Sequence, residues 1–414
     1  MFTPVFSGYV LGFLMLLMAL FNYFSSETDG NIEIRKKFQR SLLPISNGAL
    51  IFWTAILLAA FLAAATTPSI DSKALRQALG NFTVKYVVLW FTYLTFWWRL
   101  AAVKNLWRVF TFSYAIVAVI HLGYCVIQRQ YGVDWGHGFG SVLGANRFAY
   151  GVYRISGFVG HPLTLGYCQV LALIASLHFF LKAENHSEKI AWLVAVLSPA
   201  VVLLLSGSRG PQAVTLVGIL VSVPLSSFRK YRRLLALLSL TLMLLGWQFG
   251  IFSRFLEIFT AGSGGDLRGI HWRVHWNIFM DHPLVGIGPG TFRSAISAYY
   301  FSFGADDNIK LAHNAFLQFA AEYGLIGLVG VVVWLSSWFR VASNSCDSKR
   351  AFWSLLTVTV FGGLTQNNLQ DSAFVYALTI WTMILAAHEV LRNGYPATEP
   401  KIDNLLTREG GASS

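Results

Sequence analysis

Long apolar runs separated by short polar, glycine- or proline-containing breaks make up most of the chain, and about eleven of them are long enough to cross a bilayer as helices. The expected spans cover 5–24, 43–65, 82–98, 107–127, 162–181, 190–206, 211–226, 234–251, 323–339, 351–365 and 372–390, with room for a twelfth in a bent or merged segment. The predicted fold class is therefore an all-α polytopic membrane protein of about eleven or twelve transmembrane helices. Residues 1–251 hold the first group of spans, 252–322 a long loop domain with amphipathic helices, 323–390 the last spans and 391–414 a polar tail. The first run is read as a span and not a removed signal, because no basic segment precedes it and no small-residue cleavage site follows.

Charge changes the picture only once topology is set. Lysine and arginine outnumber acidic residues by 31 to 19, a balance that points to nucleic acid in a soluble protein. In a polytopic one it must first be divided between two faces, so no nucleic-acid partner is predicted. Placing "IRKKFQR" (34–40), as part of a loop over 25–42, and "FRKYRR" (228–233) on the cytoplasmic side gives that side the larger share of positive charge. Residues 66–81, 128–161 and 252–312 then lie outside. Cys125, Cys168 and Cys346 have no paired spacing, and neither a disulfide framework nor a metal cluster is expected.

The basic residues left on the outer face are mostly arginines close to apolar segments, and a planar guanidinium suits the paired oxygens of phosphate or carboxylate. Arg209 sits in "LLLSGSRGPQ", where Gly207, Gly210 and Pro211 interrupt two short spans and the next helix offers free amides to an anion. A helix is predicted over about 268–280 in "DLRGIHWRVHWNIFMDHP". On it Arg268, His271, Trp272 and His275 share a face and Arg273 points elsewhere. His271 and His275 have a metal-compatible i, i+4 spacing, but the glutamate of a zincin motif is missing and no metal site is assigned. In "LAHNAFLQFAAEYGLIG", Asn314, Gln318 and Glu322 form a polar stripe on an amphipathic helix that runs into the next span. His313 begins this helix, and it is the outer-face group whose titration range suits proton abstraction beside so many arginines. A helix-capping role for His313 is the alternative.

Three of these pieces in this order resemble a known family. "RISGFVGHPLTLGY" (154–167), "LSGSRG" (205–210), and the helix with Arg268 and Trp272 followed by "DHPLVGIGPGTF" (281–292) and "AHNAFLQFAAEYGLIGL" (312–328) are similar to the signature of the O-antigen ligase and O-antigen polymerase superfamily. The resemblance covers about residues 150–340 and departs from the family pattern at His161. It implies a GT-C type membrane glycosyltransferase, with His313 as catalytic base and Arg209 and Arg268 as catalytic arginines. Arg154, His161, Arg273, Arg293 and Asn314 are expected to line the substrate site.

By the same resemblance the donor is a glycan on undecaprenyl diphosphate, the acceptor a sugar hydroxyl of lipid A-core, and the location the bacterial inner membrane with its active site facing the periplasm. No cofactor or metal is expected, since arginines can balance the departing diphosphate where other enzymes use a divalent ion. The absence of a carboxylate pair in the outer loops argues against a glycosidase-like double displacement. Three rivals share some of these features: an O-antigen polymerase, a pilin oligosaccharide ligase, and a polyprenyl-lipid transporter or flippase.

Overall fold

A computed structural model describes residues 29–66, 72–88, 90, 104–135, 138, 140–144, 148–149, 152–223, 268–289, 311–345 and 348–394. The runs expected to span at 5–24 and 234–251, most of the loop domain including Arg293, and nearly all of the tail lie outside the described residues. In chain order the helices are α1 (Asp29–Thr66), α2 (Ser72–Thr83) continuing into a π-helical turn (Val84–Val88), α3 (Lys104–Tyr131), α4 (Pro162–Lys182), α5 (His186–Leu205), α6 (Arg209–Ser222), α7 (Arg268–Asp281), α8 (Ala315–Asn344), α9 (Lys349–Thr365) and α10 (Ser372–Gly394). A short hairpin, β1 (Phe148–Ala149) and β2 (Val152–Tyr153), and a bridge between Val133 and Val142 order the loop after α3.

The chain is an all-α polytopic membrane protein. Among the described residues α1, α3, α4, α5, α8 and α10 are long and apolar enough to cross a bilayer. Their outward faces are apolar too: Phe61, Val109, Ile116 and Ile120 are exposed, an arrangement that water disfavours and lipid accepts.

Helix ends follow local chemistry. Asn185 caps α5 by accepting the Ser187 amide at 3.1 Å, and Pro162 stands at the start of α4 where no amide is missed. α6 stops at Ser222, short of the predicted 226, because Val223 turns extended ahead of Pro224. "IRKKFQR" is not a loop but part of α1, whose Phe38 and Leu42 are buried. α2 likewise occupies much of the stretch expected to be an outer loop.

α1 and α8 pack along their lengths. A side chain at Gly330 would come within 2.9 Å of Ala55 Cβ and 3.0 Å of Phe52, so glycine allows the close approach that replaces a hydrophobic driving force in lipid. Phe52 anchors the seam, edge-on to Tyr86 at 4.9 Å and to Phe319 at 5.4 Å and stacked on Trp334 at 5.8 Å. Each such pair adds about 0.5–1.5 kcal/mol beyond its buried area.

The helix ends fall into two sets. One end gathers Lys37 and Arg40 with Asn344 and Glu389, the pair Arg392–Glu184 at 3.1 Å, and the pair Arg108–Glu188 at 3.9 Å. The other end gathers the starts of α4, α6, α8 and α10 and the ends of α3, α5 and α9.

Candidate active site

The second end is built on a break in α8. Gly324 has φ 60° and ψ −156°, a conformation close to that reserved for glycine. An unbroken helix would pair the Leu325 and Ile326 amides with the Ala321 and Glu322 carbonyls. Instead all four groups turn to the loop after α7. Leu325 N–H donates to Pro283 O at 2.8 Å, Ile326 N–H to Leu284 O at 3.2 Å, and the Ile287 and Gly288 amides donate to Ala321 O at 3.0 Å and Glu322 O at 2.9 Å. Gly286, at φ 66°, lies so close that a Cβ would sit 2.6 Å from Ala321 O. The loop thus fills a wedge in the helix, and its motif "PLVGIG" is explained by backbone pairing.

That wedge fixes α7 beside the start of α8. Trp272 Nε1 donates to Ala312 O at 3.0 Å, and the Ala312 amide donates to Gln318 Oε1 at 2.8 Å. Asn314 is the N-cap of α8, its Oδ1 accepting the Phe316 and Leu317 amides at 3.1 Å each. His313 precedes the cap and does not form it. Among the described residues it is the one non-glycine residue at positive φ, 51°, a backbone that costs about 1–2 kcal/mol for most side chains. Its Nδ1 lies 2.9 Å from Gln366 Oε1, and its ring stands edge-on to His271 at 6.2 Å.

The predicted polar stripe faces inward. Gln318 is fully buried and donates to Glu322 Oε1 at 2.7 Å, while Gln370 donates to Glu322 Oε2 at 2.8 Å. Gln370 in turn receives the Asn367 side chain at 2.7 Å, and its carbonyl accepts from Lys85 Nζ at 2.6 Å. Tyr86 donates to the Leu369 carbonyl, Thr164 to Asp371, and Tyr167 pairs with Thr365. The connector Thr365–Asp371 between α9 and α10 is therefore the point where α2's extension, α4, α8, α9 and α10 meet. Its sequence signal is the amide density of "TQNNLQD", since such side chains must find partners inside a membrane protein.

Arg209 opens α6 and is half-buried. Its N-cap, Ser208, makes no side-chain bond to the first turn. A Cβ on the adjoining Gly210 would lie 3.1 Å from Tyr167 Oη and 3.7 Å from Thr365 Oγ1. The start of α6 thus abuts the residue next to Gln366, the partner of His313.

Against this geometry, residues 193–332 match the family model described as O-antigen ligase. Over this third of its length the chain is similar to the O-antigen ligase family. No curated protein matches the chain. The match supports an enzyme role of the O-antigen ligase and polymerase type. It includes Arg209, Arg268, His313, Asn314 and the α8 break, whereas Arg154, His161 and the Thr365–Asp371 connector lie outside it.

Within the matched residues, α7 extends from Arg268 to Asp281, one residue beyond prediction. Arg268 stands one turn before His271 and Trp272; its side chain lies outside the described set. His271 and His275 are both buried. His275 Nδ1 donates to the His271 carbonyl at 2.7 Å, a bond that favours the charged ring, but burial outweighs it and pushes the pKa down to about 4, with help from the nearby His271 and His313. Arg273 is exposed on α7. No cluster of three or more histidine, cysteine or acidic side chains able to hold a metal occurs among the described residues.

The end of α3 and the loop before α4 complete this end. Arg129, buried at the end of α3, donates to Leu205 O at 2.8 Å and closes α5 just before the Arg209 turn. Gln128 accepts the Ser156 and Gly157 amides at 2.9 and 2.8 Å, which places half-buried Arg154 beside the same corner. His161 is the N-cap of α4, accepting the Leu163 amide at 3.3 Å. Arg129 was legible only as one of several outer arginines.

Proposed function

We propose that the chain is an O-antigen ligase that transfers glycan from undecaprenyl diphosphate to a sugar hydroxyl of lipid A-core. The observation that carries this reading is His313, held in a strained backbone at the end of the bundle where Arg209 begins α6. The acceptor hydroxyl oxygen attacks the anomeric carbon as the bond from that carbon to the diphosphate oxygen breaks. His313 takes the hydroxyl proton, the carrier diphosphate leaves with the bonding electrons, and one in-line displacement inverts the centre. Arg209 and Arg268 balance the charge on the leaving diphosphate, with no divalent metal required. Arg154, Arg273 and Arg293 serve the substrate, joined by His161 and by the Asn314 Nδ2 that the cap does not use.

The end rich in Lys37, Arg40, Arg108, Lys182 and Arg392 is read as cytoplasmic by the positive-inside rule, which turns the His313 end toward the periplasm of an inner-membrane protein. The test is the glycan phenotype of a deletion strain carrying wild type or His313→Ala. A ligase defect leaves long glycan on the carrier lipid, a polymerase defect leaves single units attached to the core, and a flippase defect traps lipid-linked units inside. Either of the last two patterns overturns the reading.

A further inference from the structure

We propose that Gln366 is a positioning residue that sets the tautomer of His313, accepting from Nδ1–H and so leaving Nε2 as the atom that takes the acceptor's proton. The proposal rests on His313 being the base. Gln366 is itself well placed to hold a ring. It is buried, it closes α9, and its own amide donates to Gly362 O at 2.9 Å, so its backbone is anchored before its side chain reaches across to His313 at 2.9 Å. The backbone on the other side is equally constrained, by Trp272 at the Ala312 carbonyl, Gln318 at the Ala312 amide, and the Asn314 cap. What remains free in His313 is rotation of the side chain, and a bond to Nδ1 removes it.

An amide is a fitting partner for such a base. A neutral imidazole donates from one nitrogen and accepts at the other, and a carboxyl oxygen or an amide oxygen can each select the first as donor. A carboxylate also stabilises the imidazolium and keeps the ring protonated at higher pH; an amide orients without that effect. The carboxylates near this corner are already engaged. Glu322 on α8 accepts from Gln318 and Gln370, and Asp371 accepts from Thr164 and the Ala373 amide. Among the described residues, His271 and His275 on α7 face His313, while Arg209 at the start of α6 and Lys85 border the same connector. The connector lies outside the residues that carry the family match, so the role attaches to this chain's own structure.

The experiment is transfer by the purified full-length protein, from undecaprenyl-diphosphate-linked glycan to lipid A-core, as a function of pH. Wild type is compared with Gln366→Ala, Gln366→Glu and His313→Ala, and thermal unfolding is followed for each. The role predicts that Gln366→Ala lowers kcat by about 10-fold or more with donor KM within about 2-fold, since orientation is lost and binding is not. Gln366→Glu restores the rate at high pH and moves the acid limb of the profile upward by about one pH unit, because the new carboxylate favours the imidazolium. If Gln366→Ala fails to fold, the Gln366→Glu profile decides alone. Unchanged kcat and an unchanged acid limb in both Gln366 variants, with His313→Ala inactive, overturn the positioning role and leave the base intact. An active His313→Ala enzyme overturns both.

Discussion

Gly324→Ala tests whether the wedge in α8 is a designed break. If the break were incidental, alanine would stabilise a helix interior over glycine by about 1 kcal/mol. The structure predicts the opposite sign. At φ 60° and ψ −156° a Cβ carries a strain of about 1–3 kcal/mol. The same Cβ would lie 2.5 Å from the Val285 amide nitrogen and crowd the Leu284 carbonyl, so the loop must move away. Four backbone hydrogen bonds across the wedge are then at risk, each with a net value of about 1 kcal/mol. A straightened α8 regains two of them, and the Ile287 and Gly288 amides are left to find others. The sum is a loss of about 3–5 kcal/mol, a large part of the stability of an ordinary domain. Detergent-solubilised protein should melt well below wild type, and limited proteolysis should cut faster between Pro283 and Gly288. Transfer should fall as well, because Trp272 no longer holds Ala312 beside His313. A variant that melts higher than wild type with its loop still protected would refute the reasoning.

Two other outcomes follow from the same geometry. His275 has a folded pKa lowered to about 4, so it stays neutral while the unfolded chain, with an ordinary value of about 6.5, takes up a proton. Stability is full above about pH 6.5 and is lost as pH falls toward about 4, by at most about 3 kcal/mol; His275→Gln should flatten that loss of melting temperature. Arg209→Lys keeps the charge but not the planar fork, and should weaken donor binding and turnover by about 10-fold or more, so full activity in that variant counts against paired-oxygen recognition.

The bundle was legible where apolar runs are continuous. The predicted spans at 162–181 and 372–390 correspond closely to α4 and α10. The basic start of α1 was not, because charge favours neither helix nor loop by itself, and burial of Phe38 and Leu42 decides. The polar stripe Asn314, Gln318, Glu322 could be read as a period of four, but periodicity does not say whether such a face meets water or other amides. Its inward direction depends on Gln370 and His275, distant in the chain. Gln366 was illegible for the same reason, since nothing local marks which of several amides in a connector meets a histidine 53 residues away. His313 reaches Gln366 and the start of α6 lies beside Thr365, so both border the same connector.

The measurement closest to the central claim is transfer and donor binding by His313→Asn set beside His313→Ala. Asparagine tolerates positive φ better than any side chain but glycine, so it meets the backbone demand at this position while carrying no base. If His313 takes the acceptor proton, both variants bind undecaprenyl-diphosphate-linked glycan as wild type does and lose transfer by roughly 100-fold or more. A His313→Asn enzyme that transfers glycan at close to the wild-type rate would contradict the account and leave His313 as a backbone and packing residue.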